Sequence, residues 1–269
     1  MFLDSIAEHI REVVELRKRQ LPLALLCDRP LFHQPRRGFA ERLKGGTLRI
    51  IAEVKRASPS QGLIRAQFDP VAIARDFAAN GASALSVLTE ERYFHGSLQY
   101  LERVRSEVSL PLLRKDFVLD GYQIAESKSF GADAVLLIGA LLNGGQLREL
   151  KEQASSLALD ALVEVHTEED LERALAAGAD LIGINNRDLK TFEVKLETAE
   201  RLAPKVPPGI TVVCESGIDS PEQIKRFEKL GVHVFLVGEA LMRAPDPGAK
   251  LRELLGIANS KWRMAKSKC

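Results

Sequence analysis

The sequence predicts an α/β fold, and within that class a (β/α)8, or TIM, barrel. Three observations carry the prediction. Eight short apolar runs alternate with eight stretches of helical character between residues 48 and 255. A glycine-centred junction recurs at Asn80-Gly81-Ala82-Ser83-Ala84, Phe130-Gly131-Ala132-Asp133-Ala134, Ala177-Gly178-Ala179-Asp180-Leu181 and Leu230-Gly231-Val232-His233-Val234. Each junction puts glycine just past a helix end and starts a strand directly after it. The period is about 25 residues, and eight such units fit the roughly 250 residues typical of this barrel. Continuous apolar strands separated by helices imply a parallel sheet with covered faces. An open doubly wound sheet is the competitor, but it needs fewer strands and usually a glycine-rich first turn, which is missing after Lys55.

Taken in order, residues 4–19 place Ile6, Ile10, Val13, Val14 and Leu16 near helical spacing, with Asp4 or Ser5 as N-cap. Residues 21–35 contain Pro22, Pro30 and Pro35 and read as irregular, and 38–43 read as a second short helix. No strand signal occurs here. Residues 1–46 are therefore expected to be a helical extension packed on a barrel spanning 47–257, since so few residues would hardly bury a core alone. Residues 258–269 form a basic tail, expected to fray. Strands are predicted at 48–54, 84–88, 111–115, 134–138, 161–165, 181–185, 210–214 and 232–237. Helices are predicted at 70–80, 97–107, 120–130, 144–158, from 167 onward, 195–202, 220–230 and 248–255. Asp69 with Pro70 at N1, Asp120, Thr167 and Ser220 mark helix starts. The acidic first turn Glu168-Glu169-Asp170 suits the positive end of the helix dipole.

Composition narrows the function. A hydrophobic fraction of 45% with 28% charged residues describes a folded chain rather than a disordered one. A net charge of +1 argues against nucleic acid or a membrane surface as partner, because either needs a basic excess. Cys27, Cys214 and Cys269 are too widely spaced for a disulfide framework or a metal pattern, so a reducing cytoplasm is the expected compartment. The first residues carry an early acid and no long apolar core, so no signal peptide is expected. No apolar run has bilayer-spanning length.

In such a barrel, chemistry sits at the C-terminal ends of the strands. There the sequence places Glu53 and Lys55, Lys115 followed by Asp116 and Phe117, Glu164, Asn185 with Asn186 and Arg187, Glu215-Ser216-Gly217, and Gly238. Alternation puts Glu53 and Lys55 on one face of the first strand. Lysines and carboxylates converging on one mouth perturb each other's pKa, which suits acid–base work. The turns at Gly217 and at Gly238-Glu239 follow strands seven and eight, the usual phosphate position. The Glu239 side chain would repel a phosphate, so only its N–H is expected to help. Arg187 and Lys55 are cations available to a second anion such as a carboxylate. The five histidines are scattered and without ligand spacing. Glu90-Glu91-Arg92 and Glu168-Glu169-Asp170 read as solvated charges. The residues thus point to an enzyme acting on a small phosphorylated substrate, with no metal and no cofactor. Physics alone does not choose the reaction.

Ile51-Ala52-Glu53-Val54-Lys55-Arg56-Ala57-Ser58-Pro59-Ser60 resembles the signature of the indole-3-glycerol phosphate synthase family. So do Leu85-Ser86-Val87-Leu88-Thr89, Tyr93-Phe94-His95-Gly96, Leu113-Arg114-Lys115-Asp116-Phe117, Leu162-Val163-Glu164-Val165-His166, Ile182-Gly183-Ile184-Asn185-Asn186-Arg187-Asp188-Leu189 and Glu215-Ser216-Gly217-Ile218. The resemblance covers nearly the whole chain. It implies the substrate 1-(2-carboxyphenylamino)-1-deoxyribulose 5-phosphate and a ring closure with loss of carbon dioxide and water. It implies Lys115 as general acid, Glu164 and Lys55 as base and acid in the dehydration, and Glu53 and Asn185 as orienting groups. Glu215 and Ser216 would hold the anilino and hydroxyl parts. Lys55, Ser58 and Arg187 would lie near the aromatic carboxylate, and backbone at Gly217, Gly238 and Glu239 would hold the phosphate. Phe94, Phe117 and Leu136 would wall the ring pocket. The loop 56–67 is expected to move over the substrate. A monomer or weak homodimer is expected. Another phosphosugar-binding barrel enzyme, an isomerase or decarboxylase, is the alternative, and a non-catalytic barrel the third reading.

Overall fold

The computed structural model describes residues 2–257; the expected tail at 258–269 lies outside them. Eight strands close into one barrel: β1 Arg49–Val54, β2 Ala84–Leu88, β3 Leu112–Lys115, β4 Ala134–Ile138, β5 Asp160–Val165, β6 Leu181–Asn185, β7 Thr211–Glu215 and β8 Val234–Val237. Each pairs in parallel with its chain neighbours, and β8 returns to β1 through Ala52 opposite Val237. The fold is the (β/α)8 barrel. Valine, isoleucine and leucine dominate the strands, and β2, β4, β6 and β8 are buried along their whole length.

The covering helices are Pro70–Ala79, Leu98–Glu107, Gly121–Ser129, Gly144–Ser156, Glu168–Ala176, Glu197–Leu202, Pro221–Glu228 and Pro247–Leu254, with a short helix Glu239–Arg243 after β8. Side chains of Asp69, Ser97, Asp120, Asn143, Thr167, Ser220 and Asp246 accept first-turn N–H groups. Each such cap stabilises its helix by about 1 kcal/mol. Gly131 shows why glycine recurs at the junctions. Its φ is +89°, and a Cβ there would sit 2.7 Å from Arg105 Cγ.

The N-terminal stretch departs from the reading in detail. Its first helix runs Phe2–Gln20, so Asp4 and Ser5 lie inside its first turn and are not N-caps. Ile6, Ile10 and Val14 are buried, whereas Leu16 is exposed. The proline-bearing stretch is ordered, with helix Leu23–Cys27 and a 3-10 turn Pro30–His33. Pro22 stands before the first turn and Pro30 in it, where a missing N–H costs nothing. The loop after β1 also holds an unexpected hairpin, Ala57–Ser58 against Gly62–Leu63, turned through Gly62 at φ +62°.

One buried carboxylate ties this stretch to the barrel floor. Asp133, fully buried, accepts from Arg105 Nη1 at 2.7 and 2.8 Å, from the Leu112 N–H at 2.9 Å and from the Arg37 N–H at 2.8 Å. Removing it strands the Arg105 guanidinium without its partner. Asp133→Ala is expected to cost about 3–5 kcal/mol, read as a lowered urea midpoint. A loss under about 1 kcal/mol would show that the pair does not anchor the floor.

Candidate active site

Four ionisable side chains meet inside the upper rim of the barrel: Glu53 from β1, Lys115 from β3, Glu164 from β5 and Glu215 from β7. They come from every second strand, which is how one layer of a barrel interior is filled. Alternation along each strand turns them all inward. Lys115 Nζ stands 2.9 Å from Glu164 Oε2 and 3.2 Å from Glu215 Oε2. Lys55, just beyond β1, pairs with Glu53 at 2.7 Å. All three carboxylates are buried.

This arrangement sets the charge states. Burial works against the Lys115 ammonium, but Glu164, Glu215 and Glu53 together outweigh it and hold the amine well above the ordinary lysine range. Burial likewise works against an ionised Glu164. The Lys115 ammonium, then His166 and hydrogen bonds from Lys115 and Asn185, keep it below the usual carboxylate value. Glu215 takes the remaining position. Burial pushes its carboxyl up, the Lys115 ammonium opposes this, and the Glu164 charge adds to it, leaving the group near 8. Two carboxylates sharing one ammonium titrate as a set, with one ionised and the other protonated.

Glycines make room for these groups. A side chain at Gly183, on β6, would collide with Glu215 Oε1, and one at Gly238 would collide with the Glu53 carboxylate. Glu215 Oε1 is buried and has no hydrogen-bond partner among the described residues. A buried polar oxygen left unpaired is costly. Ser216 and Gly217 take consecutive left-handed conformations, φ +66° and +81°. For the serine this is a strained position of the kind found where backbone N–H groups are aimed at a ligand.

The cavity above this layer measures about 500 Å³. Lys115, Glu164, Lys55, Glu53, Asn185, Glu215, Ser58, Phe94, Phe117, Leu136, Arg187, Ser216, Gly217, Gly238 and Glu239 all line it. The rings of Phe94 and Phe117 lie 6.2 Å apart at 47°, an apolar wall near the charged layer. Two cations expected to be available already have partners: Lys55 pairs with Glu53, and Arg187 pairs with Glu239 at 3.0 Å.

Several groups escaped the reading. His166 lies two residues past Glu164 on the same face, its Nε2 3.6 Å from Glu164 Oε1, and period-two alternation was the available signal. Glu90 and Asp170 are buried rather than solvated. Glu90 accepts from the N–H groups of Arg92, Tyr93 and Phe94, and burial raises its pKa. Asp170 accepts from the N–H groups of His166 and Thr167. Arg114 points outward from β3 and is fully buried. It meets Asp116 and Glu126 at 2.9 Å each, Thr89 Oγ1 at 3.2 Å and the Gln123 carbonyl at 3.0 Å. Arg17 of the first helix reaches the same Glu126 at 3.3 Å. Nothing local in the sequence announces that set.

A family model described as indole-3-glycerol phosphate synthase matches residues 3–254. The chain is 51% identical over 259 residues to the indole-3-glycerol phosphate synthase of Dehalococcoides mccartyi (strain CBDB1), covering 95% of this chain and 100% of that one. It is 48% identical over 263 residues to the protein of that name from Carboxydothermus hydrogenoformans, with the same coverage. Among solved structures, 3-hexulose-6-phosphate synthase from Salmonella typhimurium superposes with a TM-score of 0.63 at 15% identity, covering 78% of this chain and 98% of that one. KGPDC from Streptococcus mutans superposes with a TM-score of 0.61 at 14% identity, covering 80% and 99%. At that identity the two structures share the barrel alone. A match over nearly the whole chain and about half its residues settles the affiliation: the chain belongs to the indole-3-glycerol phosphate synthase family.

Proposed function

We propose that the rim described above is where this chain carries out the family's reaction, the decarboxylating and dehydrating ring closure of 1-(2-carboxyphenylamino)-1-deoxyribulose 5-phosphate to indole-3-glycerol phosphate. The observation that carries the residue roles is the Lys115 ammonium held between Glu164 and Glu215. An ammonium fixed by buried carboxylates is a preorganised proton donor to a carbonyl oxygen. Protonating the ketone makes its carbon an electrophile for the aromatic ring.

The remaining roles follow from position. Carbon dioxide then leaves the ring carbon. Glu164, ionised and steadied by Asn185, is the base of the dehydration, and Lys55, steadied by Glu53, is its acid. Glu215 meets the anilino nitrogen through its unpaired Oε1, the oxygen turned away from Lys115, which relieves its burial cost, and Ser216 holds a hydroxyl. Phe94, Phe117 and Leu136 take the aromatic ring. Ser58 and Arg187 lie on the aromatic carboxylate, and backbone at Gly217, Gly238 and Glu239 on the phosphate. Residues 47–257 form the catalytic unit, with 1–46 as its extension. Among the described residues no helix is long and apolar enough to cross a membrane. A cytoplasmic monomer or weak homodimer, without nucleic-acid partners, goes with this reading.

Indole absorbance and fluorescence should grow when chain and substrate are mixed, and a chain that turned over plain ribulose phosphates instead would refute the assignment. Lys115→Met should lower kcat by at least about a hundredfold with a much smaller change in KM; near-normal turnover would reject its role. Glu164→Gln should accumulate a ring-closed intermediate ahead of dehydration, seen in single-turnover spectra, and unchanged kinetics would count against it. Stability should also report on Glu215. The folded chain keeps a proton that the unfolded chain loses in the ordinary carboxylate range, so stability should fall as pH rises from that range through about 8. Glu215→Gln should flatten that decline in urea midpoints, and an equal slope in both chains would place the proton elsewhere.

A further inference from the structure

One carboxylate at the mouth, that of Glu239, has no part in the proposed chemistry. Glu239 follows Gly238, and its carboxylate faces two guanidiniums. Oε2 is 3.0 Å from Arg187 Nη2 and Oε1 is 3.4 Å from Arg243 Nη2. Arg187 also donates to Ser60 Oγ and to the Phe192 carbonyl, both at 3.2 Å. Arg243 also donates to the Gln61 side chain. A single carboxylate thus gathers the loop after β1, the loop after β6 and the helix Glu239–Arg243. Ser60, Gln61, Arg187, Glu239 and Arg243 all line the cavity.

The charges conflict with the ligand. The backbone of Glu239 belongs to the turn read above as the phosphate cradle, so its carboxylate would stand beside an incoming dianion. Like charges that close repel, while a phosphate offers a guanidinium more charge and more acceptor oxygens than a carboxylate does. Parting the pairs is cheap. The side chains of Arg187, Glu239 and Arg243 are 20%, 26% and 54% exposed, so water receives what is released.

We propose, resting on the function read above, that the Glu239 carboxylate is a resident counter-ion which the substrate's phosphate displaces, making Arg243 a further phosphate-positioning residue. On exchange Glu239 turns to solvent and Arg243 takes a phosphate oxygen. Arg187 is released at the same moment toward the aromatic carboxylate. Through Ser60 and Gln61 the exchange also reaches the loop after β1, so arrival of the phosphate and setting of that loop are one event.

Calorimetric titration with inorganic phosphate tests this in the native chain, Glu239→Gln and Arg243→Met, with anthranilate as a carboxylate-only probe. Glu239→Gln should bind phosphate about tenfold more tightly, and Arg243→Met several-fold more weakly. Anthranilate should also bind Glu239→Gln more tightly, through Arg187, and should bind Arg243→Met as it binds the native chain. Phosphate affinity unchanged or weakened in Glu239→Gln would overturn the proposal, as would unchanged phosphate affinity in Arg243→Met. Indole formation by the native chain separates the two readings. Product with unaltered variant affinities defeats the exchange alone, whereas no product defeats the function beneath it.

Discussion

The interior of the rim depends on one constraint: a buried ammonium cannot stand alone, and neither can a buried carboxylate. Lys115 lies within 3.2 Å of two carboxylates, and each of the three groups would be costly to bury without the others. Attraction between them holds β3, β5 and β7 to one geometry at the height where the chemistry is read. The excess of negative charge is absorbed as a proton on Glu215. The result is an ammonium, an ionised carboxylate and a carboxyl with one unpaired oxygen, all held in place without substrate, which is the kind of arrangement that lowers reorganisation in a polar transition state.

The barrel makes such a layer available. Closing eight parallel strands with a stagger brings every second strand to the same height. Residues far apart in the chain, Glu53 and Glu215 among them, thereby become neighbours of one amine. Behind this layer the outward face of β3 is pinned by Arg114 to Asp116 and Glu126, and Arg17 joins the first helix to the same cluster. Lys115 therefore stands on a strand end fixed on both faces. Above the layer, the loops that close the mouth meet at Glu239.

Much of this was legible in the sequence because the barrel writes its plan locally. Each strand is a short apolar run, each helix start carries its cap, and glycine returns after helix ends, as at Gly131. The charged layer was legible because charge at a strand end is unusual and stands out, as with Lys115 after Leu112-Leu113. What stayed hidden depends on partners distant in sequence. Arg114 looks like any strand residue until Glu126 is seen behind it. Gly183 looks like a strand glycine until Glu215 fills the space above it. Glu90 looks solvated until its loop folds back over the carboxylate, and Pro22 and Pro30 looked disruptive because their positions relative to the helix starts were not known. Arg187 and Glu239 both line the cavity, while their pairing is visible from neither in the sequence.

The pivot of the structure is the protonated state of Lys115, and nitrogen-15 NMR of lysine-labelled chain reads it directly, with Lys115→Met identifying the signal. The Lys115 Nζ resonance should stay that of an ammonium as pH is raised past 10.5, the ordinary lysine value. Loss of that proton below 10.5 would mean that burial outweighs the carboxylates, and would contradict the charge balance on which the layer rests.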